Sequence, residues 1–393
     1  MFVRILRLTN LRSRHELQVE LSEGLNILMG PNGAGKTTVL EAVALVLRGA
    51  PLRSGNVRDL ISRDRDHLRV ELELDSQPVP PGVGDGGVDV VGKAGSRAVN
   101  AVTAAAAYSR DGERRLSADG AVLDDAVRWR ELLPVRTFAP DDLRLIKGSP
   151  RRRREYLDSL AGRLYGEYPS LLKKYEEALS QRNFLLRTVR GGSRAAEFEP
   201  WETILAQTGS AVTQARASAL ASFVSFFQTV HEELAGEPAE NVRLVYRTNA
   251  ADLDEAEYRG RLAEMRRADQ QRTYTHLGPH RDDLRVLRCG LDMRECASQG
   301  EQRTALLALV LADWARLLDG PAPPLLLLDD VMSELDDSRR RRLVAFTRRG
   351  GQTVVTTTDL RYFSEDELEG ATIVDLGPRW VTVPAEPTVG KDS

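Results

Sequence analysis

The sequence predicts an α/β domain interrupted by a helical one, and three observations carry that prediction. Strand-like runs occupy both ends of the chain, at residues 3–8, 25–29 and 69–74 and again at 325–328 and 352–356. A glycine-rich turn at 30–35 joins one of these runs to a helix-forming stretch at 36–47. Between the two ends, from 151 to about 269, apolar residues recur every three or four positions, as at Leu157, Leu160, Leu164, Tyr168, Leu171, Leu172 and Tyr175. That is the period of helices with one buried face. Residues 1–150 and 271–383 are therefore expected to share one α/β lobe, with 151–270 an inserted helical domain and 384–393 a solvated tail.

Length and composition set the frame. A chain of 393 residues, 41% hydrophobic and 29% charged, has the size for two or three domains and the balance of a globular protein. Its longest apolar runs are of core-strand length, well short of a membrane span. Met1 leads into Phe2-Val3-Arg4-Ile5 without a signal-peptide pattern. Cys289 and Cys296 are the two cysteines, in no metal-ligand spacing. A cytoplasmic protein with no membrane partner is the expectation. The net charge of −3 does not by itself announce nucleic acid. Its distribution is more informative: residues 144–194 hold thirteen Lys or Arg against five Asp or Glu. That segment includes the run Arg151, Arg152, Arg153 and Arg154, either a solvated helix face or a contact surface for phosphates.

Taken in order, 3–8 alternates with period two, 19–21 does so briefly, and 25–29 reads as a buried strand. A helix is predicted over 36–47, and 69–74 alternates again. Residues 78–107 shift to Gly, Ala, Val and Ser and read as a loose insertion in a peripheral sheet, with little chemistry. After Thr273 the chain returns to mixed structure. Helices are predicted over 299–318 and 338–348, alternating with strands at 325–328 and 352–356.

Gly30-Pro31-Asn32-Gly33-Ala34-Gly35-Lys36-Thr37 is a G-x-x-x-x-G-K-[ST] phosphate loop with a strand before it and a helix after it. Its glycines, Gly30, Gly33 and Gly35, let the backbone wrap a polyphosphate, with Asn32 inside the loop and Thr38 in the first helical turn. Lys36 would reach the β- and γ-phosphates of ATP, and Thr37 would offer a hydroxyl to Mg2+. The second acidic element is Leu325-Leu326-Leu327-Leu328-Asp329-Asp330. A continuous apolar run suits a parallel strand buried on both faces, and carboxylates at its end stand at the crevice where ligands bind. Asp329 is assigned to the metal and Asp330 to polarising the attacking water.

Ser298-Gln299-Gly300-Glu301-Gln302-Arg303 opens the helix that leads to the acidic strand. Ser298 and Glu301 form an S-x-x-E capping box. The segment is also similar to the signature of ABC-type ATPases, Leu-Ser-Gly-Gly-Gln, with Gln299 in place of the first glycine. In that class the signature of one subunit faces the phosphate loop of another and ATP is held between two copies. The resemblance therefore implies an ATP-dependent homodimer, with Ser298, Gln299 and Gly300 contacting nucleotide. Ser333-Glu334-Leu335-Asp336 looks like the class's D-loop. Two departures imply slow, switch-like hydrolysis: Thr356-Thr357-Thr358 lacks a switch histidine, and Asp330 replaces the usual glutamate.

About 290 residues separate Lys36 from Asp329, more than in transporter ATPase subunits and far less than in SMC-type proteins. Leu8-Thr9-Asn10-Leu11-Arg12, Phe138-Ala139-Pro140-Asp141-Asp142-Leu143, Lys147-Gly148-Ser149-Pro150 and Thr273–Leu284 (residues 273–284) resemble blocks of the RecF family of bacterial DNA-repair ATPases. That resemblance implies an ABC-type (P-loop) ATPase head with an inserted α-helical domain, binding ATP and Mg2+, with Arg12 near the nucleotide. It further implies binding to junctions of single- and double-stranded DNA, work with RecO and RecR to load RecA at gaps, and phosphate contacts from Arg151 to Arg154. Arg339 to Arg342 are weaker candidates. His276 and His280 read as structural. The rival readings are a transporter ATPase subunit and a DNA-binding scaffold that does not hydrolyse ATP.

Overall fold

The computed structural model describes residues 2–53, 55–75, 101–123, 133–188, 195–251, 253–320, 322–377 and 381–383. Most of the predicted insertion (76–100) and the tail lie outside them. The first half of the chain forms β1 (Phe2–Leu11), β2 (Arg14–Glu20), β3 (Leu25–Met29), α1 (Lys36–Leu47), β4 (His67–Asp75), β5 (Ala101–Ser109), β6 (Arg114–Ala118), β7 (Ala121–Val122), β8 (Val135–Phe138), α2 (Pro150–Leu164) and α3 (Tyr168–Thr188). There follow α4 (Ala195–Ala235), β9 (Val242–Arg247), α5 (Glu255–Arg272), β10 (Asp283–Arg288), β11 (Leu291–Asp292) and α6 (Gln299–Ala315). The chain then adds β12 (Leu325–Leu328), α7 (Asp337–Thr347), β13 (Gln352–Thr357), β14 (Thr372–Asp375) and β15 (Val381–Val383). It divides into two compact units, residues 1–142 with 310–393, and residues 143–309. Sequence periodicity put these borders at 150 and 270.

The first unit is built from two sheets. One is antiparallel, in the order β2-β1-β4-β5-β6-β7. The other runs β15-β14-β3-β13-β12-β8, parallel from β14 to β8 and closed at one edge by antiparallel β15. Helix α1 touches β1, β4 and β5 of the first sheet and β13 of the second. An element enclosed that way has no solvated stripe, and so Val39 to Leu47 is apolar apart from the buried Glu41. β12 is buried at all four positions, which is why it reads as an unbroken leucine run. β4 alternates because only one of its faces meets α1.

The alanine-rich 101–107 segment, expected to be loose, lies in β5, paired with β4 and β6. Ala104, Ala105 and Ala106 are buried there. Alanine offers little β-propensity, and two flanking strands supply the pairing that propensity does not.

The second unit holds α2 to α5 and a small antiparallel sheet, β11-β10-β9. β9 falls inside the stretch read as helical. Its alternation (Val242, Leu244, Tyr246) is only six residues long and is flanked by helical periodicity on both sides. Arg182, fully buried on α3, donates to Asp269 (2.7 Å), Glu202 (3.2 Å), the Thr275 hydroxyl (2.9 Å) and the Leu262 carbonyl (2.9 Å). Glu202 is also held by Arg266, and Asp269 by His276 Nδ1 at 2.7 Å. His280 Nε2 sits 2.9 Å from the Thr275 carbonyl, which can only accept. Nε2 therefore carries the proton, and Nδ1 accepts from the Tyr175 hydroxyl at 2.5 Å. Burial lowers the His280 pKa to about 4.

Arg182→Ala leaves two buried carboxylates short of a partner and is expected to cost about 3–5 kcal/mol in urea unfolding. His280 stays neutral when folded but protonates near pH 6.5 when unfolded, so its contribution is intact above pH 6.5 and is lost as pH falls toward 4. Stability measured across that window should fall less steeply in His280→Gln than in the parent chain; parallel curves would contradict the assignment.

Candidate nucleotide site

The phosphate loop leaves β3 at Met29 and enters α1 at Lys36. Gly33 (φ +82°) and Gly35 (φ +94°) hold left-handed backbone that other residues adopt at a cost. A Cβ at Gly35 would also crowd Arg14, lying 3.0 Å from its Nε. Arg14 Nη2 donates to the Ala34 carbonyl at 2.5 Å, fastening the loop to β2. Asn32 and Gly33 face solvent, whereas Gly30 and Thr38 are buried. The Gly30 N–H donates to the Thr357 carbonyl at the end of β13 (3.3 Å).

Lys36 is 8% exposed and lies folded along its own loop, Nζ donating to the carbonyls of Gly30 (2.6 Å) and Pro31 (3.0 Å). Burial lowers its pKa, against the opposing pull of Asp330 and Asp329. Thr37 Oγ1 lies 2.9 and 3.1 Å from the two carboxylate oxygens of Asp329, so the loop and the acidic strand meet at one point. Asp329 is nearly fully buried. It also accepts from Thr356 Oγ1 (3.0 Å) and Arg53 Nη2 (2.9 Å). Thr356 turns its lone pairs to the Asp330 N–H (2.8 Å), which fixes the left-handed Asp330 backbone (φ +49°). The Thr356 hydroxyl at the end of β13, where the sequence has no switch histidine, thus orients both carboxylate-bearing residues.

Arg12, expected near the nucleotide, forms a two-pronged ion pair with the buried Glu41 of α1. Its hydrogen bond to the Glu41 carboxylate raises the Arg12 pKa, and Asp329 contributes a smaller pull in the same direction. Arg14 and Arg53 were missed by the sequence reading. Single arginines outside a motif give no signal, and the contacts that identify them, with Ala34 and Asp329, arise only on folding.

Ser298, Gln299 and Gly300 belong to the second unit, at the start of α6. Ser298 and Gln299 are exposed, and Gly300 is half-buried. The capping box is present: the Ser298 N–H donates to Glu301 Oε2 at 2.7 Å, and the Glu301 N–H reaches back to Ser298 Oγ at 3.4 Å. Gln302 anchors the turn through the carbonyls of Met293 (2.6 Å) and Ala297 (3.2 Å). In the first unit, Asp336 caps α7 by accepting from the Arg339 N–H (2.9 Å), so the D-loop-like segment ends in a helix start. Arg339 pairs with Asp336, and Arg340 donates to the Met332 carbonyl and stacks over Tyr362.

The arginine run divides. Arg153 is buried (2% exposed), pairs with Asp283 and donates to the Gly148 carbonyl at 2.7 Å. Arg154 is half-buried and donates to the Asp282 carbonyl. Arg153 is thus a structural residue and is withdrawn as a DNA contact. Arg151, paired with Glu155 one turn on, is the most exposed of the four.

A phosphate loop after a central parallel strand, a carboxylate pair after a second and a capped serine turn before it define an ABC-type ATPase head. Residues 2–374 match the family model described as the RecF/RecN/SMC N terminal domain. Two proteins named DNA replication and repair protein RecF are similar to the chain. The one from Heliobacterium modesticaldum is 33% identical over 85% of this chain and 86% of its own, and the one from Moorella thermoacetica is 34% identical over 84% and 82%. Among solved structures, the recombination mediator protein RecF-ATP in the RecFOR pathway is 26% identical with a TM-score of 0.76, covering 95% of each chain. An Smc head bound to the C-winged helix domain of ScpA shares the fold alone, at 16% identity and a TM-score of 0.56 over 98% of each chain. The chain belongs to the RecF family.

Thr356→Val keeps the shape of β13 but removes a donor from a buried carboxylate and an acceptor from the Asp330 N–H. It should lower stability by about 2 kcal/mol in denaturant titration. An unchanged midpoint would show that neither bond matters.

Proposed function

We propose that this chain is an ATP-dependent DNA-binding protein of recombinational repair, in which ATP closes two copies and slow hydrolysis releases them. The observation that carries the nucleotide part is the meeting of Thr37 with Asp329 beside a lysine-bearing phosphate loop. Both groups are hard oxygen donors, and Arg53 on the same carboxylate shows that the site accommodates positive charge, so the residues fit Mg2+. Thr37 and Asp329 would hold the ion, which when bound neutralises phosphate charge. Lys36 would exchange its two loop carbonyls for phosphate oxygens, and the loop N–H groups would donate to the same anion. Asp330 would orient the attacking water. Its short side chain, and a hydroxyl in place of the switch histidine, support turnover suited to a switch.

DNA binding is inferred from family membership. RecF relatives are named for DNA replication and repair, and RecF structures are assigned to the RecFOR pathway. Junctions of single- and double-stranded DNA, RecO and RecR as partners and RecA loading at gaps are the corresponding proposals here. Phosphate contacts would fall to Arg151 and Arg152, making binding salt-sensitive and indifferent to sequence. Among the described residues no helix is long and apolar enough to cross a membrane, and a transporter role has no support from the relatives.

The test is fluorescence anisotropy of duplex and gapped DNA with ATP, ADP or no nucleotide. Affinity should rise with ATP for the parent chain and show no ATP dependence in Lys36→Ala or Ser298→Arg. No DNA binding under any of these conditions at low salt would refute the repair reading. Arg53→Gln removes a competing cation from Asp329. Manganese titrated in the presence of ADP should therefore bind the variant several-fold more tightly, and weaker binding would assign Arg53 to the phosphates instead.

A further inference from the structure

The surroundings of Ser298 carry one more assignment, which rests on the reading that ATP is sandwiched between two copies. A serine hydroxyl has one hydrogen to give. Here Ser298 Oγ donates it to Glu301 Oε2 at 3.0 Å, the oxygen that also accepts from the Ser298 N–H. While that bond holds, the hydroxyl offers other groups only its lone pairs, and Glu301 adds a negative charge where a polyphosphate would arrive. The other Glu301 oxygen lies 3.1 Å from Arg288 Nη1, at the end of β10. Arg288 is itself clamped by Glu237, just beyond α4, with Nη2 at 2.9 and 3.0 Å from the two carboxylate oxygens. Arg288 and Glu301 side chains keep 31% and 26% of their exposure, and Glu237 keeps 26%. The cluster is thus partly screened by solvent and still able to act electrostatically on a ligand.

We propose that Arg288 is a positioning residue for the signature serine: it neutralises Glu301 and so sets how readily the Ser298 hydroxyl is released to a phosphate oxygen of ATP bound on a second copy. Arg288, Glu237 and Glu301 taken together set one arginine against two carboxylates, a net −1 for these three side chains. Removing the arginine makes it −2, and neutralising Glu237 makes it 0. The two changes therefore push nucleotide-dependent association in opposite directions, which a purely structural ion pair would not do.

Sedimentation velocity of the full chain with ATPγS and Mg2+ reads the association. Arg288→Ala should weaken dimerisation about fivefold and Glu237→Gln should strengthen it, the scale of partly exposed charges. Arg288→Lys should lie between Arg288→Ala and the parent. Binding of fluorescent ADP to the monomer should stay unchanged in all three, since Lys36 and Thr37 are untouched. If Arg288→Ala melts early, Glu237→Gln decides the matter, because it removes the charge while keeping the size and shape of the side chain. Dimerisation by the parent, with both variants equal to it or both weaker, overturns the assignment and leaves the sandwich reading standing. A parent chain that stays monomeric at every ATPγS concentration overturns the sandwich reading, and this assignment with it.

Discussion

The buried carboxylate of Asp329 is the junction on which the ATPase lobe depends. An ionised carboxylate taken out of water is costly unless its lone pairs are filled. Here Thr37, Thr356 and Arg53 fill them from three different parts of the chain. The phosphate loop, the end of β13 and the segment after α1 are thereby held in register by one side chain. Arg14 on β2 holds the same loop through the Ala34 carbonyl, and Arg12, in the turn after β1, holds the helix that follows the loop through Glu41. The loop is a turn of flexible residues made rigid by charges anchored elsewhere.

How much of this was readable beforehand depended on where each signal resides. The phosphate loop, its helix over Lys36–Leu47 and the strand Leu325–Leu328 were legible to the residue, because each is a local pattern with a local cause. β5 was not, because its alanines are held in a strand by neighbours that no local window contains. β9 was lost for the opposite reason: a brief alternation was outvoted by long helices around it. Site residues follow the same division. Lys36, Thr37 and Asp329 sit in motifs, whereas Arg14, Arg53 and Arg288 acquire meaning only from side chains brought close by folding.

The arginine run shows why composition misleads about surfaces. Four consecutive positions on a helix point in four directions about 100° apart, so an amphipathic helix sends at least one of them inward. In α2 that one is Arg153, whose guanidinium is paired to Asp283. Elsewhere in the same unit, Arg182 and Arg216 are also buried, each paired with carboxylates. Part of the basic excess near residue 150 is therefore interior wiring, and the surface is less positive than the count suggests.

The order of strands in the parallel sheet has a consequence for how the polypeptide is made. β3 lies between β13 and β14, and Asn26 pairs with Val354, so the two partners of this strand emerge from the ribosome more than 300 residues after it. Until then β3 lacks its two flanking strands, and α1, though packed on β1, β4 and β5, lacks its contact with β13. Residues 143–309, by contrast, contain their own packing partners. Vectorial synthesis thus favours completing the inserted unit first, while the nucleotide lobe still lacks its last strands. A nascent chain paused once residue 309 has emerged would carry a finished inserted unit and an adhesive, unfinished sheet, the kind of species that chaperones retain.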